Sequence, residues 1–333
     1  MTEIIKVSNL VLVYADGTKA IDDISFGVNE GEFFGFLGPN GAGKSTTIKV
    51  LTTLLRKTSG TATVAGYDVD KHPQDIRKII GVQSQDTTVD GDLTGRENLM
   101  LQGHFQQMKP ELLKERVDEL LKLVELESAA DKRARNYSGG MKKRLDLASA
   151  LVHSPKLLFL DEPTTGLDPQ SRASVWEYLQ RLNREGITIF LTTQYMEEAD
   201  KLCRQLSIID YGKIVASGTP AELKQQVGAD SIKLALEDGQ NIEEICTKAQ
   251  EVLKSVPGVA NIIGSDEGLT VYAKNAGLIV ADIVRAFDNA KIRLASVSFS
   301  SPTLDDVFLQ HTGRRIRPEE LKSAQTVLPG RRR

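Results

Sequence analysis

The sequence predicts an α/β protein, a mostly parallel β-sheet flanked by helices, followed by a smaller α+β domain. From residue 1 to about 225, short apolar β-rich runs alternate with helical patterns, the signature of strands joined by crossover helices. Between about 94 and 134 the strand pattern stops and a helical insert takes its place. Beyond 225 the segments follow the order β-α-β-β-α-β, the ferredoxin-like arrangement.

FFGFL (33–37) and LLFLD (157–161) are the clearest strands, because continuous apolar runs suit strands buried on both faces. ITIFLTT (187–193) is a third, and it follows a helix whose start is marked by Asp168 as N-cap and Pro169 at the first helical position. The insert opens with Thr94 to Glu97, a capping box. Leu112, Leu113, Val117, Leu120, Leu121 and Val124 then recur at helical spacing, as expected of one buried face. After 225, SIKLALE alternates with period two, a helix is expected at 241–254, and VPGV makes a turn. Strands near 259–263 and 269–274, a helix at 276–288 and a strand near 291–298 complete the unit. The expected domains are therefore 1–225, with the helical part at about 94–140, an accessory domain at 226–312, and a basic flexible tail at 313–333. The tail carries enough arginine to touch anionic lipid, although charge runs are usually just solvated.

A chain of 333 residues accommodates one large and one small domain. The composition, 40% hydrophobic and 26% charged, is that of a globular protein, and a net charge of -3 argues against a general nucleic-acid binder. No stretch approaches the roughly 18 apolar residues that cross a bilayer, and MTEIIKVSNL has no signal-peptide core, so a cytoplasmic location is expected. Cys203 and Cys246 lack Cys or His neighbours at ligand spacing and read as buried or idle thiols.

The chemistry begins after strand 33–37. Gly38, Pro39, Asn40, Gly41, Ala42, Gly43, Lys44, Ser45 and Thr46 fit G-x-x-x-x-G-K-[ST] and lead directly into a helix. Gly41 and Gly43 let the backbone turn tightly and aim N–H groups at phosphate oxygens, and the helix N-terminus adds a favourable dipole. Lys44 is expected to reach the β- and γ-phosphates, and the Ser45 hydroxyl to ligate Mg²⁺. Strand 157–161 ends in Asp161 and Glu162, at the carboxyl edge where ligands of such sheets bind. Asp161 is expected to hold Mg²⁺, directly or through water, and Glu162 to polarise the water that attacks the γ-phosphate.

The stretch NYSGGMKKRLDLASALVHSPKLLFLDEPTTGLDPQSR (136–172) resembles the ATPase domain of ABC transporters. Ser138-Gly139-Gly140 ahead of a helix is similar to the family's signature motif, and Gly166-Leu167-Asp168 looks like its D-loop. The resemblance implies a phosphate-loop (RecA-like) core with an antiparallel β subdomain, ATP and Mg²⁺ as cofactors, and a head-to-tail homodimer. In that pair each ATP lies between one subunit's Lys44 loop and the other's Ser138 helix start. It further implies separately encoded transmembrane permease subunits and a peripheral position on the inner face of the cell membrane.

By the same resemblance Tyr14 stacks on adenine, although a Tyr in a strand is otherwise more often a core residue. Gln85 matches the glutamine that contacts Mg²⁺ and the reacting phosphate; Gln83 is its rival, and Gln85 stands five residues after Ile80, as the pattern requires. There are departures. The signature reads YSGGM, with Tyr137 and Met141 in flanking positions, and Gln194 stands where most members carry the switch-loop histidine. Glutamine can donate a neutral hydrogen bond to phosphate but cannot become a cation. Both departures, with TLDDVFLQHTGR (303–314), look like the drug-export branch typified by daunorubicin-resistance ATPases, which implies export of a small hydrophobic compound or lipid. Leu304, Val307 and Phe308 at helical spacing can also simply pack against the small domain. The alternative is a soluble ABC ATPase acting on ribosome or DNA, but those resemble tandem cassettes or cassettes split by coiled-coil arms, and sustained heptads are missing. The accessory domain reads as support for the dimer, or as regulation.

Overall fold

The computed structural model describes residues 2–227, 230–236, 242–265, 268–273, 276–300 and 302–314. Two compact units divide inside one strand, the first ending at Ile214 and the second running from Val215 to Ile316.

The first unit begins with the long strands β1 (Glu3–Val13) and β2 (Lys19–Asn29), then β3 (Phe33–Leu37) and α1 (Lys44–Leu51). Strands β4 (Ser59–Val64) and β5 (Tyr67–Asp68) precede α2 (Pro73–Ile79) and β6 (Ile80–Gln83). The helical insert holds α3 (Gly95–Phe105), α4 (Pro110–Leu123) and α5 (Gly139–Ala150). The chain returns through β7 (Leu157–Asp161), α6 (Pro169–Arg184), β8 (Thr188–Thr193), α7 (Met196–Leu202), β9 (Gln205–Asp210) and β10 (Lys213–Gly218).

A six-stranded sheet has the order β10-β9-β3-β8-β7-β6, in which β6, β7, β8, β3 and β9 are mutually parallel. A separate antiparallel sheet has the order β2-β1-β4-β5. All residues of β3, β7 and β8 are buried, as expected of strands with continuous apolar runs, FFGFL, LLFL and IFL. Phe26 of β2 lies against Phe34, Phe36 and Phe190, with ring centroids 5.4–6.0 Å apart, and Phe159 packs on Phe190 at 5.5 Å. This aromatic group ties the antiparallel sheet to the parallel one.

The insert begins as its sequence indicates. Thr94 Oγ1 accepts from Glu97 N at 3.1 Å while Glu97 Oε2 accepts from Thr94 N at 2.7 Å. Leu113, Val117, Leu120, Leu121 and Val124 are buried, but Leu112 is 59% exposed. The apolar spacing fits 113, 117, 120, 121 and 124 on one stripe; Leu112 lies a residue before it and turns to solvent.

The second unit continues with α8 (Pro220–Val227), β11 (Asp230–Leu236), α9 (Ile242–Lys254), β12 (Val259–Ser265), β13 (Gly268–Ala273), α10 (Ala276–Asn289), β14 (Leu294–Ser300) and α11 (Leu304–Thr312). Its antiparallel sheet has the order β12-β13-β11-β14, the pairing of a ferredoxin-like β-α-β-β-α-β unit. Its core joins Ile232, Leu234 and Val271 of the sheet to Leu253 of α9 and Ile283 and Phe287 of α10. Thr303 caps α11 reciprocally with Asp306, and Leu304, Val307 and Phe308 are all buried, α11 lying against α8. The expected tail lies, from residue 315 onward, outside the described residues, as does the side chain of Cys246. Cys203 is buried, and burial raises its thiol pKa well above the ordinary value.

Phe190 is fully buried among four other rings, so Phe190→Ala leaves a cavity that the parallel strands cannot close. The expected loss is about 3–5 kcal/mol, read as a lowered denaturation midpoint with an unchanged m value.

Candidate functional site

Parallel pairing brings every strand end to one edge. Leu37 of β3 is level with Thr193 of β8, Asp161 of β7 with Thr192 of β8, and Gln83 of β6 with Leu160 of β7. The segments that follow, 38–46, 162–168, 194–195 and 84–90, therefore emerge side by side. Inside the sheet the strands are apolar; at this edge polar groups begin.

After β3 the loop turns through Gly41 at φ +79° and Gly43 at φ +107°, left-handed values that disfavour side chains. A Cβ at Gly43 would meet Ala20 O at 2.5 Å, and one at Gly38 would meet Ile209 O at 2.3 Å. The loop can therefore take this path only with glycine there. Gly43 is the N-cap of α1 and no side chain caps it, which leaves first-turn N–H groups to face an anion.

Lys44 is 4% exposed, and its Nζ donates to Gly38 O at 2.8 Å and Pro39 O at 3.0 Å. It also pairs with Glu162 Oε1 at 3.0 Å, and Glu162 is 5% exposed. Glu162 itself has φ +51°, a conformation that costs a non-glycine residue of the order of 1 kcal/mol. Its N–H donates to Thr192 O, and Thr165 Oγ1 donates to its Oε2 at 3.2 Å. Asp161 Oδ1 accepts from Ser45 Oγ at 3.0 Å and from Thr192 Oγ1 at 2.6 Å. Hydroxyl and carboxylate oxygens so joined are the hard donors that suit Mg²⁺, and the uncapped glycine loop suits a polyphosphate. The residues fit both.

Gln194 follows β8 and is 8% exposed. Tyr14, 38% exposed just after β1, shares a hydrogen bond with Thr46 Oγ1 at 3.0 Å, which leaves its ring beside the start of α1. Gln85 lies in the exposed loop after β6, whereas Gln83 is 2% exposed with its amide donating to Lys143 O at 3.3 Å. Of the two rivals, Gln85 alone stands in the loop at the strand edge.

Ser138 is exposed and caps α5, accepting from Met141 N at 3.2 Å; Gly139 has open space beside it. Tyr137 is buried, donating from its hydroxyl to Ala129 O at 2.6 Å, so the aromatic residue before the serine anchors the insert and leaves Ser138 free to face outward. Asp168 caps α6 and accepts from Ser171 N at 3.0 Å and Ser171 Oγ at 2.6 Å, bonds that lower its carboxyl pKa. A Cβ at Gly140 would meet that Ser171 Oγ at 3.0 Å, so Gly140 and Asp168 are near neighbours. Among the described residues no hydrogen bond or ion pair joins 138–140 to 38–46.

The sequence reading missed Thr192 and Thr165, which orient the two acids; two threonines directly after the apolar run 189–191 were the available signal for the first. It also missed Glu198, fully buried, whose Oε1 accepts from Thr164 Oγ1 and Trp176 Nε1, both at 2.8 Å. Burial pushes its carboxyl pKa up, opposed by its hydrogen bonds and by the charge of Arg172.

Residues 21–165 match the family model described as ABC transporter, and residues 218–312 match ATP-binding protein DrrA1-3-like, C-terminal domain. The daunorubicin/doxorubicin resistance ATP-binding protein DrrA of Streptomyces peucetius is 42% identical over 94% of this chain and 93% of its own. Nod factor export ATP-binding protein I of Neorhizobium galegae is 38% identical over 95% of this chain and 86% of its own. A dimeric ATP-binding cassette solved in a post-hydrolysis state with ADP and Pi superposes with a TM-score of 0.60 at 27% identity, covering 65% of this chain and 98% of that one. With both halves matched in order and relatives aligned along nearly the whole length, the chain belongs to the ABC transporter family, as an ATP-hydrolysing, Mg²⁺-dependent ATP-binding subunit with a DrrA-type C-terminal domain.

Proposed function

We propose that this ATPase energises export of a small hydrophobic, drug-like or lipid-like compound through separate membrane-spanning subunits, working as a homodimer at the inner face of the cell membrane. Relatives named for daunorubicin/doxorubicin resistance and Nod factor export support the export direction and the cargo class. The observation that carries the mechanism is the segregation of two anion-binding helix starts. Lys44, Ser45, Asp161 and Glu162 gather at the sheet edge, and Ser138 and Gly139 are exposed, joined to them by no hydrogen bond or ion pair among the described residues. One chain supplies each half, so a second copy is needed to close a site.

In this reading the loop from Gly38 to Thr46 receives the phosphates, and Tyr14 supplies the ring on which adenine stacks. Lys44 exchanges two carbonyls and a carboxylate for β- and γ-phosphate oxygens. That exchange releases Glu162 Oε1 to accept a proton from the attacking water, while Thr165 keeps its other oxygen in place. Ser45, Asp161 and Gln85 would hold Mg²⁺, which when bound neutralises charge developing between the β- and γ-oxygens. Gln194 orients or senses the γ-phosphate with a neutral hydrogen bond, and Ser138, Gly139, Gly140 and Asp168 of the partner close on the same nucleotide. Residues 1–225 act as the ATPase domain, and 226–312 as dimer support or regulation.

The membrane subunit is expected to dock beside the Gln85 loop. A groove of ≈ 340 Å³ lined by Leu54, Val82, Thr88, Gln102, Gln106 and His153 lies there. Leu54 is 62% exposed, and Phe105, between the lining residues Gln102 and Gln106 on α3, is 71% exposed. Apolar side chains so placed are explained by a covering partner. Among the described residues no helix is long and apolar enough to cross a membrane.

Glu162→Gln should cut ATP turnover by about 100-fold or more while an ATP-bound dimer accumulates, measured by single-turnover kinetics and sizing; an active monomer would refute the paired site. Gln194→Ala should lower coupled transport by about fivefold, the effect of one neutral hydrogen bond, and full transport would remove Gln194 from the assignment. Phe105→Asp combined with Leu54→Asp should abolish co-fractionation with membranes and leave basal ATP hydrolysis unchanged; retained membrane association would move the docking face elsewhere.

A further inference from the structure

α5 grips the loop after β6 at successive points. Lys143 Nζ donates to Gln85 O at 2.7 Å, and Gln83 Nε2 donates to Lys143 O. One turn further along α5, Asp146 Oδ1 accepts from Thr88 N at 3.0 Å and from Thr88 Oγ1 at 2.7 Å. Asp146 is 2% exposed and lies within the buried run Leu145 to Ala148. Burial raises its carboxyl pKa, opposed by the two Thr88 donors, the charge of Lys143 and the Gln83 amide.

An apolar residue at 146 would fill this space without the cost of desolvating a carboxylate. The acid is therefore explained by what it holds. Thr88 lies three residues after Gln85, and Ser138 opens the helix two turns before Asp146, so a bond between 146 and 88 fixes the Gln85 loop relative to the Ser138 helix start. Thr88 and Asp146 also line the groove beside that loop, so a partner seated there would press on the clamp.

We propose that Asp146 is a positioning residue of the ATPase cycle: clamped on Thr88, it makes the Gln85 loop and the Ser138 helix move as one piece. The proposal rests on the reading of Gln85 as a contact of the reacting phosphate and its metal. It gives the carboxylate at 146 and the hydroxyl at 88 a shared role in turnover rather than in nucleotide affinity.

The full-length protein is tested as Asp146→Ala, Asp146→Asn and Thr88→Val. Thr88 is exposed, so its substitution leaves the core intact. Expected are a kcat about tenfold lower in Asp146→Ala and Thr88→Val with KM for ATP within about twofold, and rescue in Asp146→Asn, which keeps an oxygen acceptor for both Thr88 donors. Amide-hydrogen exchange over 84–90 should quicken in the two impaired variants without acceleration in the parallel sheet. Unchanged kcat and unchanged exchange in both, or an Asn variant as impaired as the Ala variant, or parallel loss of kcat, KM and melting temperature, would overturn it. Because exchange is read without hydrolysis, a protein with no ATPase activity would defeat the reading of the site while still testing the clamp.

Discussion

Parallel register between β3, β8 and β7 governs everything at the site. Buried on both faces, these strands are apolar from Phe33, Leu157 and Ile189 until they reach the carboxyl edge, where Leu37 is level with Thr193 and Asp161 with Thr192. From that point the chain has to satisfy polar groups within a narrow strip, and it does so with Lys44 on Glu162, Ser45 and Thr192 on Asp161, and Thr165 on Glu162. Glycine at 38 and 43 is the local price of threading the loop past Ile209 and Ala20. The aromatic packing of Phe26, Phe34, Phe36, Phe159 and Phe190 holds the register, so core and chemistry share one scaffold.

Much of this was legible in the residues. Apolar runs without alternation identified β3, β7 and β8, and the carboxyl-edge rule put Lys44 and the acids Asp161 and Glu162 together before any geometry was known. The capping box at Thr94 and the Asp168-Pro169 helix start also read directly, because an N-cap is a purely local interaction. The ferredoxin-like order of the second unit followed from element order alone, with β11 paired between β13 and β14 as that topology demands.

What escaped was non-local or depended on one residue of phase. Leu112 was read into the stripe, yet of its buried members only Leu120 stands at a helical offset from it; one residue out of phase, it turns outward. Thr192 reads as a β-branched strand former, and only pairing with β7 reveals that its hydroxyl holds Asp161. Glu198 and Asp146 look like solvated helix charges in sequence; their partners lie 34 and 58 residues away. The amide of Gln83 likewise finds its acceptor, Lys143 O, 60 residues away.

The ammonium of Lys44 already has three oxygen partners, two carbonyls and one carboxylate, in a space closed to solvent. An incoming anion competes with them rather than with water. A monovalent ion or an isolated carboxylate offers too few acceptors to replace all three, whereas a triphosphate tail brings several oxygens along the same loop. Prior satisfaction of the lysine thus favours a ligand that brings several oxygen acceptors over one that brings a single acceptor.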